Sequence, residues 1–162
     1  MNKFEIISEI QFKADFGNYQ SAKREELKLP SRATKYSAGY DFYAPFDIEL
    51  VPGETIKIPT GIRAILESDK FLALFPRSGL GFKYRLQLDN TVGVIDADYS
   101  NSSNEGHIWA KITNDGREGK TLSIRKGEGF MQGVILPYGV TDDDCASGIR
   151  NGGFGSTSIE RE

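Results

Sequence analysis

The sequence predicts an all-β domain, a distorted barrel or jelly-roll-like arrangement, and three observations carry that prediction. Eighteen glycines punctuate the 162 residues, often enough to turn the chain every few positions. The segments between them are short β-branched or aromatic runs, the length of strands rather than of helices. No long helical periodicity, internal repeat or low-complexity stretch interrupts them, and many short strands without long helices favour a closed or sandwiched β architecture. A chain of this length is expected to form one domain. It divides into a β domain over 1–140, whose first 26 residues form a helix and loop, and a linker with a C-terminal arm over 141–162.

The elements follow in order. Ser8-Glu9-Ile10-Gln11 is a capping box that opens a short helix, with Phe12 and Phe16 on one side and Gly17 as its stop. Residues 18–26 are polar and read as a loop, so this N-terminal segment has a packing role. Residues 27–29 begin an extended segment that Pro30 closes. Ala38, Tyr40, Phe42 and Ala44 then alternate with Gly39, Asp41 and Tyr43, which turns Asp41 away from its aromatic neighbours. Val51-Pro52-Gly53-Glu54 is a turn between strands. Strands follow at 55–58 and 61–66, with Pro59-Thr60-Gly61 between them and a loop at 67–70. Residues 71–75 are wholly apolar, as in a strand buried on both faces. Pro76-Arg77-Ser78-Gly79-Leu80 leaves that strand and starts a short turn of helix. Further strands are expected at 92–99, 107–112, 121–124 and 130–136, and Pro137 and Gly139 end the series. Residues 141–145 form an acidic linker, since the ligand spacing and closing glutamate of a calcium loop are missing. Residues 150–157 are too rich in glycine to hold a strand unaided and are expected to stay mobile until a ligand orders them.

Composition limits the function. Lys and Arg total 20 against 23 Asp and Glu, a net charge of −3. A nucleic-acid polymer calls for a basic face, whereas a single nucleotide needs only a local cluster of cations. The single cysteine, Cys145, makes neither an intrachain disulfide nor a CxxC metal site and fits a reducing cytoplasm. The longest apolar run, 71–75, is far short of a membrane span, and no charged-then-apolar leader opens the chain. These features point to an intracellular protein that engages neither membrane nor nucleic-acid polymer.

The chemistry gathers at residues 90–99, where an apolar β-branched run ends in two carboxylates and a ring. Alternation sets Val92, Val94, Asp96 and Asp98 on one face and Gly93, Ile95, Ala97 and Tyr99 on the other. A strand that buries valines carries acids on the same face only where it leaves the core. A carboxylate against apolar walls at such an end suits a general base. An isolated Asp-x-Asp is also what a solvated turn would carry. At 76–83, Gly79 and Gly81 allow close backbone approach, helix-start amides can face an anion, and Arg77 offers a planar fork for phosphate oxygens. Ser78 would be a nucleophile only if the sole histidine, His107, were recruited to it.

Five stretches together resemble the signature motifs of the trimeric dUTPases, in that family's order. They are Ala38-Gly39-Tyr40-Asp41-Phe42-Tyr43-Ala44, Pro76-Arg77-Ser78-Gly79-Leu80-Gly81-Phe82-Lys83, Gly93-Val94-Ile95-Asp96-Ala97-Asp98-Tyr99, Lys126-Gly127-Glu128-Gly129-Phe130-Met131-Gln132-Gly133 and Arg150-Asn151-Gly152-Gly153-Phe154-Gly155-Ser156-Thr157. The resemblance implies hydrolysis of dUTP to dUMP and pyrophosphate, which limits uracil in DNA and supplies dUMP for dTMP synthesis. It implies a homotrimer whose three sites each draw motifs from all three subunits. Asp96 would be the general base toward a water attacking the α-phosphorus. Arg77, Ser78, Gly79, Gln132 and Arg150 would hold the phosphates, and Asp41 and Gln132 would hold Mg²⁺ through water. Tyr99 would pack against deoxyribose and exclude a 2′-hydroxyl, and Asn90 would bond to sugar or base. Gly93, Val94 and Ile95 would line the nucleoside pocket. Phe154 would close over uracil, with Gly155, Ser156 and Thr157 completing the arm.

Two departures from the family pattern stand out. The usual glycine two residues past the tyrosine is absent; Ser100 to Glu105 intervene before Gly106, lengthening a hairpin that reads uracil in the family. Gly129 stands where the family often has arginine. Three other readings compete. A dCTP deaminase-like enzyme shares the fold. A dUTPase-fold regulator would act through a protein partner, with the N-terminal helix and the 100–105 hairpin as its surface. A sugar-nucleotide enzyme would use the DxD on Mn²⁺ but leaves the other four motifs unexplained.

Overall fold

A computed structural model describes residues 1–150. Eleven strands and two short helices succeed one another as β1 (Lys3–Ile6), α1 (Glu9–Asp15), β2 (Tyr40–Tyr43), β3 (Ile48–Leu50), β4 (Thr55–Pro59), β5 (Ile62–Ile65), β6 (Lys70–Pro76), α2 (Ser78–Tyr84), β7 (Leu86–Leu88), β8 (Gly93–Asp96), β9 (Trp109–Asn114), β10 (Leu122–Ile124) and β11 (Gly129–Pro137). All pairings are antiparallel, in a four-stranded sheet β2-β11-β6-β8, a three-stranded sheet β4-β9-β7 and the pairs β1-β5 and β3-β10. The all-β jelly-roll-like expectation holds, although among the described residues the strands stay in separate sheets rather than closing into one barrel.

The four-stranded sheet owes its order to the apolar run over 71–75. With β11 on one side and β8 on the other, β6 is central and buries Leu72, Ala73 and Leu74 to 3% exposure or less. Phe42, Phe130 and Met131 join Leu72 in one continuous core with Ile58, Ile62 and Ile112 of the other sheets and with Ile108 just before β9. Side chains of this size each contribute about 1.5–3 kcal/mol on full burial. Gly133 is needed inside β11, because a Cβ there would lie 2.8 Å from Leu72 and 3.0 Å from Phe42.

The N-terminal helix forms where the capping box predicts, and Ser8 Oγ accepts from the amide of Gln11. The reciprocal half of the box differs. Gln11 turns to Asp15, and the Ser8 amide donates instead to Glu105, 2.9 Å away. The helix is thereby fastened to the 97–107 hairpin rather than capped only by itself.

Several expectations change: residues 24–26, expected as loop, form a 3-10 helix, and residues 86–88 form a strand not expected from the sequence. Residues 3–6, unassigned from the sequence, form a strand that pairs with β5. Residues 97–101 leave the sheet as a 3-10 helix, so Asp98 does not share a strand face with Asp96. Val92, just before β8, and Val94 within it are 37% and 58% exposed while Gly93 is buried, so β8 turns its glycine, not Val94, to the core. A Cβ at Gly93 would stand 3.0 Å from Leu74.

Candidate active site

The site residues fall into two clefts. The first lies at the β2–β11–β6 junction, about 410 Å³ in volume, and includes Gly39, Asp41, Arg77, Ser78 and Gln132 in its lining. Register assembles it: Gln132 lies opposite Asp41 on β2 and opposite Phe75 on β6. Arg77, at the end of β6, reaches back so that its Nε is 3.1 Å from the Asp41 carboxylate and its guanidinium donates to the Gly129 carbonyl at 3.2 Å. The absence of a side chain at Gly129 has a local consequence. A Cβ there would be 3.0 Å from the Arg77 guanidinium, so glycine leaves the space the arginine occupies. Gln132 donates to the Pro76 carbonyl at 3.5 Å, and a Cβ on Gly39 would fall 2.4 Å from its amide oxygen. Ser78 opens α2, the expected helical turn, whose first amides have no intrahelical acceptor. A Cβ at Gly79 would meet nothing within 4 Å, so its openness serves no contact inside the chain.

The donors of this cleft fit Mg²⁺. Asp41 supplies a carboxylate and Gln132 an amide oxygen, the hard ligands this ion takes. Among the described residues no three His, Cys, Asp or Glu side chains converge. One or two protein oxygens are what Mg²⁺ uses when phosphates and water complete its shell.

The second cleft, about 230 Å³, opens at the end of β8 and is lined by Leu74, Asn90, Gly93, Val94, Ile95, Asp96, Tyr99, Trp109 and Arg150. Asp96 is the last strand residue, and its backbone turns directly into the 3-10 helix. Arg150 bridges the acids, donating to the Asp96 carboxylate and, at 2.8 Å, to Asp98. The apolar enclosure expected around Asp96 is incomplete, for its side chain is 45% exposed. Tyr99 is buried; its hydroxyl donates to the His107 carbonyl and accepts from Asn104, each at 3.0 Å, and burial pushes its phenol above the usual tyrosine range. An apolar cavity of about 520 Å³ shares Leu74, Asn90, Gly93 and Trp109 with this cleft. Trp109 and Leu74 were not singled out from the sequence. Trp109 is the chain's sole tryptophan, a large flat surface at a strand start, and that was the available signal.

His107 is excluded as a partner for Ser78. It is wholly buried, its Nδ1 stands 2.5 Å from Asp15 and its Nε2 accepts from the Gly61 amide at 2.8 Å. Burial holds its imidazole below the usual histidine range, against the pull of Asp15. The lengthened hairpin folds away from the second cleft, toward α1 and β5, through Glu105–Ser8 and Arg63–Ser100. Phe154, Gly155, Ser156 and Thr157, and with them the C-terminal arm, lie outside the described residues.

Residues 25–157 match the dUTPase family model. The deoxyuridine 5′-triphosphate nucleotidohydrolase of Lactococcus lactis subsp. lactis is 41% identical over 138 residues, 83% of this chain and 91% of the relative. That of Hahella chejuensis is 44% identical over 144 residues, covering 83% and 90%. Among solved structures, the dUTPase of Streptococcus mutans superposes with a TM-score of 0.68 at 36% identity, over 86% of this chain and 98% of that one. The dUTPase from phage phi11 of S. aureus, at 21% identity, shares the fold with a TM-score of 0.65, over 92% of this chain and 97% of that one.

Proposed function

The chain belongs to the dUTPase family, and from that premise we infer that it is a dUTP diphosphatase, EC 3.6.1.23, hydrolysing dUTP to dUMP and pyrophosphate. Such a reaction limits uracil in DNA and supplies dUMP for dTMP synthesis. The working site is shared between subunits of a homotrimer.

The observation that carries this reading is the separation of the two clefts. Asp96 pairs with Phe71 of β6, and Gln132 pairs with Phe75 of the same strand. Four residues along β6 and two strand spacings across it put Asp96 and Gln132 roughly 16 Å apart. A general base must lie within hydrogen-bond reach of its water, directly or through one more. The residues suited to phosphate and those suited to base and sugar therefore line separate clefts of one chain. Closed rotational symmetry joins them by setting the first cleft of one subunit against the second cleft of its neighbour.

In that assembly Asp96 takes the proton of the water that attacks the α-phosphorus. Arg77, with the hydroxyl of Ser78 and the amide of Gly79, holds phosphate oxygens as a charge-assisted cradle. Asp41 and Gln132 would hold Mg²⁺ through water, and the ion would supply positive charge against the phosphates. Arg150, paired with Asp96 and Asp98 in the free chain, exchanges those carboxylates for phosphate. Tyr99 presents its ring to deoxyribose, while Asn90 and the β8 backbone at Gly93, Val94 and Ile95 read sugar and base. Phe154 covers uracil, and Gly155, Ser156 and Thr157 complete the closure.

A complementation experiment tests the shared site. Asp96→Asn and Gln132→Ala are each expected to be nearly inactive. Unfolded together and refolded as a mixture, they should regain activity, because about a quarter of the sites in a randomly mixed ring combine two intact halves. No recovery from a mixture that forms mixed trimers would sink the model. Pyrophosphate released from dUTP, with no ammonia released from dCTP, separates this reaction from deamination.

A further inference from the structure

The lengthened hairpin has no part in the reaction described so far, yet it is built as carefully as the core. Tyr99 is 6% exposed and lines the second cleft. Its hydroxyl is engaged inside the hairpin, donating to the His107 carbonyl and accepting from Asn104 Nδ2, each at 3.0 Å. With those partners the hydroxyl is committed, and the ring is what remains for a ligand. Asn104 is itself held, since its Oδ1 accepts from the Gly106 amide at 3.1 Å. Gly106 has φ +72°, and a Cβ there would lie 2.6 Å from Ser100 Cα and 2.7 Å from the Tyr99 carbonyl. The turn is thus pressed against the backbone that carries the ring. From outside, Arg63 donates to the Ser100 carbonyl at 3.1 Å, and Glu105 accepts from the Ser8 amide and hydroxyl at 2.9 and 2.5 Å.

We propose that Asn104 is a positioning residue for Tyr99, and that residues 100–106 form a brace that fixes how deeply the ring stands against the sugar. The inference rests on the reading that Tyr99 selects deoxyribose. Exclusion of a 2′-hydroxyl is steric, and steric contact changes steeply with position: a gap of about 0.5–1 Å already forfeits a quarter to a half of a van der Waals contact. A phenol held at its far end by two hydrogen bonds cannot recede by such a distance; with one bond removed, it can. The brace joins the ring to α1 through Glu105 and to β5 through Arg63, so the N-terminal helix supports substrate selection without touching substrate.

The readout is the ratio of kcat/KM for dUTP to that for UTP, which a general loss of fold or of catalysis would not move. Asn104→Ala should lower that ratio about three- to tenfold, the effect of one buried hydrogen bond, chiefly by improving UTP. Tyr99→Phe, which keeps the ring but removes both hydrogen bonds, should lower it by at least as much. Adding Asn104→Ala in the Tyr99→Phe background should change nothing further, because residues acting through one contact are not additive. Additive effects would overturn the proposal, and so would an unchanged ratio in Asn104→Ala while Tyr99→Ala lowers it. An unchanged ratio in Tyr99→Ala would remove the sugar-reading role itself, and the proposal with it. Should Asn104→Ala not fold, Tyr99→Phe decides: an unchanged ratio there rejects the brace.

Discussion

Asp96 is the acid at the mouth of a strand, and its placement follows from where β8 ends. Its side chain is 45% exposed, so the chain itself supplies only part of its environment. Asp96→Asn keeps shape and hydrogen-bonding atoms but cannot take a proton. The variant should lose about two to four powers of ten in kcat, the usual worth of a positioned base. KM for dUTP should stay within a few-fold, because binding is left largely intact. A wild-type rate would remove Asp96 from the reaction. Gly39 tests the first cleft. A Cβ there would fall 2.4 Å from the Gln132 amide oxygen and 3.3 Å from its amide carbon, and the movable end of that side chain would give way before the sheet. Gly39→Ala should therefore keep its melting temperature while requiring more Mg²⁺ for half-maximal activity. Unchanged Mg²⁺ dependence would show that Gln132 is not engaged with the ion. Both residues were legible in the sequence, one as an acid ending an apolar run and one through its motif. The exposure of Asp96 was not, because it depends on which face of β8 meets the core: Gly93 packs on Leu74, so Val94 faces out.

The same contrast runs through the elements. β6 was legible because a fully apolar run has few places to go, and α1 because a capping residue precedes paired phenylalanines. β1 and β7 were not. Lys-Phe-Glu-Ile and Leu-Gln-Leu are too short and half-polar to declare themselves, and they become strands by pairing with β5 and β9. The attachment of α1 to the hairpin also escaped the sequence, since Asp15 and His107 lie 92 residues apart. That attachment predicts a pH dependence. His107 accepts a hydrogen bond from the Gly61 amide at Nε2, which only the neutral ring can do, and burial lowers its pKa from the ordinary 6.5 although Asp15 and Glu105 oppose that. Between that value and the lowered one, the unfolded chain binds more protons than the folded chain, so stability must fall as pH falls. The contribution is complete above 6.5. Glu105 acts in a lower window: hydrogen bonds from Ser8 hold its pKa below the ordinary 4.5, so its contribution is lost only as pH drops past 4.5 toward that lowered value. Hydrogen exchange should find the α1 amides less protected at about pH 5.5 than at about pH 7.5, after correction for intrinsic rates. Equal protection would show that the buried pair does not hold the helix.

At the scale of the whole molecule, motif order was readable but its partition was not. Nothing in a linear sequence says that Gln132 and Asp96 sit opposite different ends of β6, and that register is what sets the two clefts apart. Assembly predicts a particle of three times the 18.0 kDa chain mass, which sedimentation at micromolar concentration would reveal; full activity in a lone monomer would refute the shared site. The fifth motif extends the argument. Among the described residues, no buried core side chain lies beyond Met131, so a chain ending at Ile149 should keep its fold, melting temperature and trimeric mass. It would lack Arg150, the cation paired with Asp96 and Asp98, along with Phe154 and the hydroxyls of Ser156 and Thr157. Closure of a site excludes water and completes the set of groups around the reacting phosphate. The truncated enzyme should therefore lose most of its kcat while remaining a stable trimer. Arg150→Ala in the full-length chain separates the cation from the closure. If the arginine serves phosphate, Arg150→Ala should weaken a non-hydrolysable dUTP analogue more than dUMP, which lacks the terminal phosphates. Were its only task to neutralise Asp96 and Asp98, both ligands would be weakened alike. A truncated enzyme that turned over dUTP at the full rate would exclude both roles.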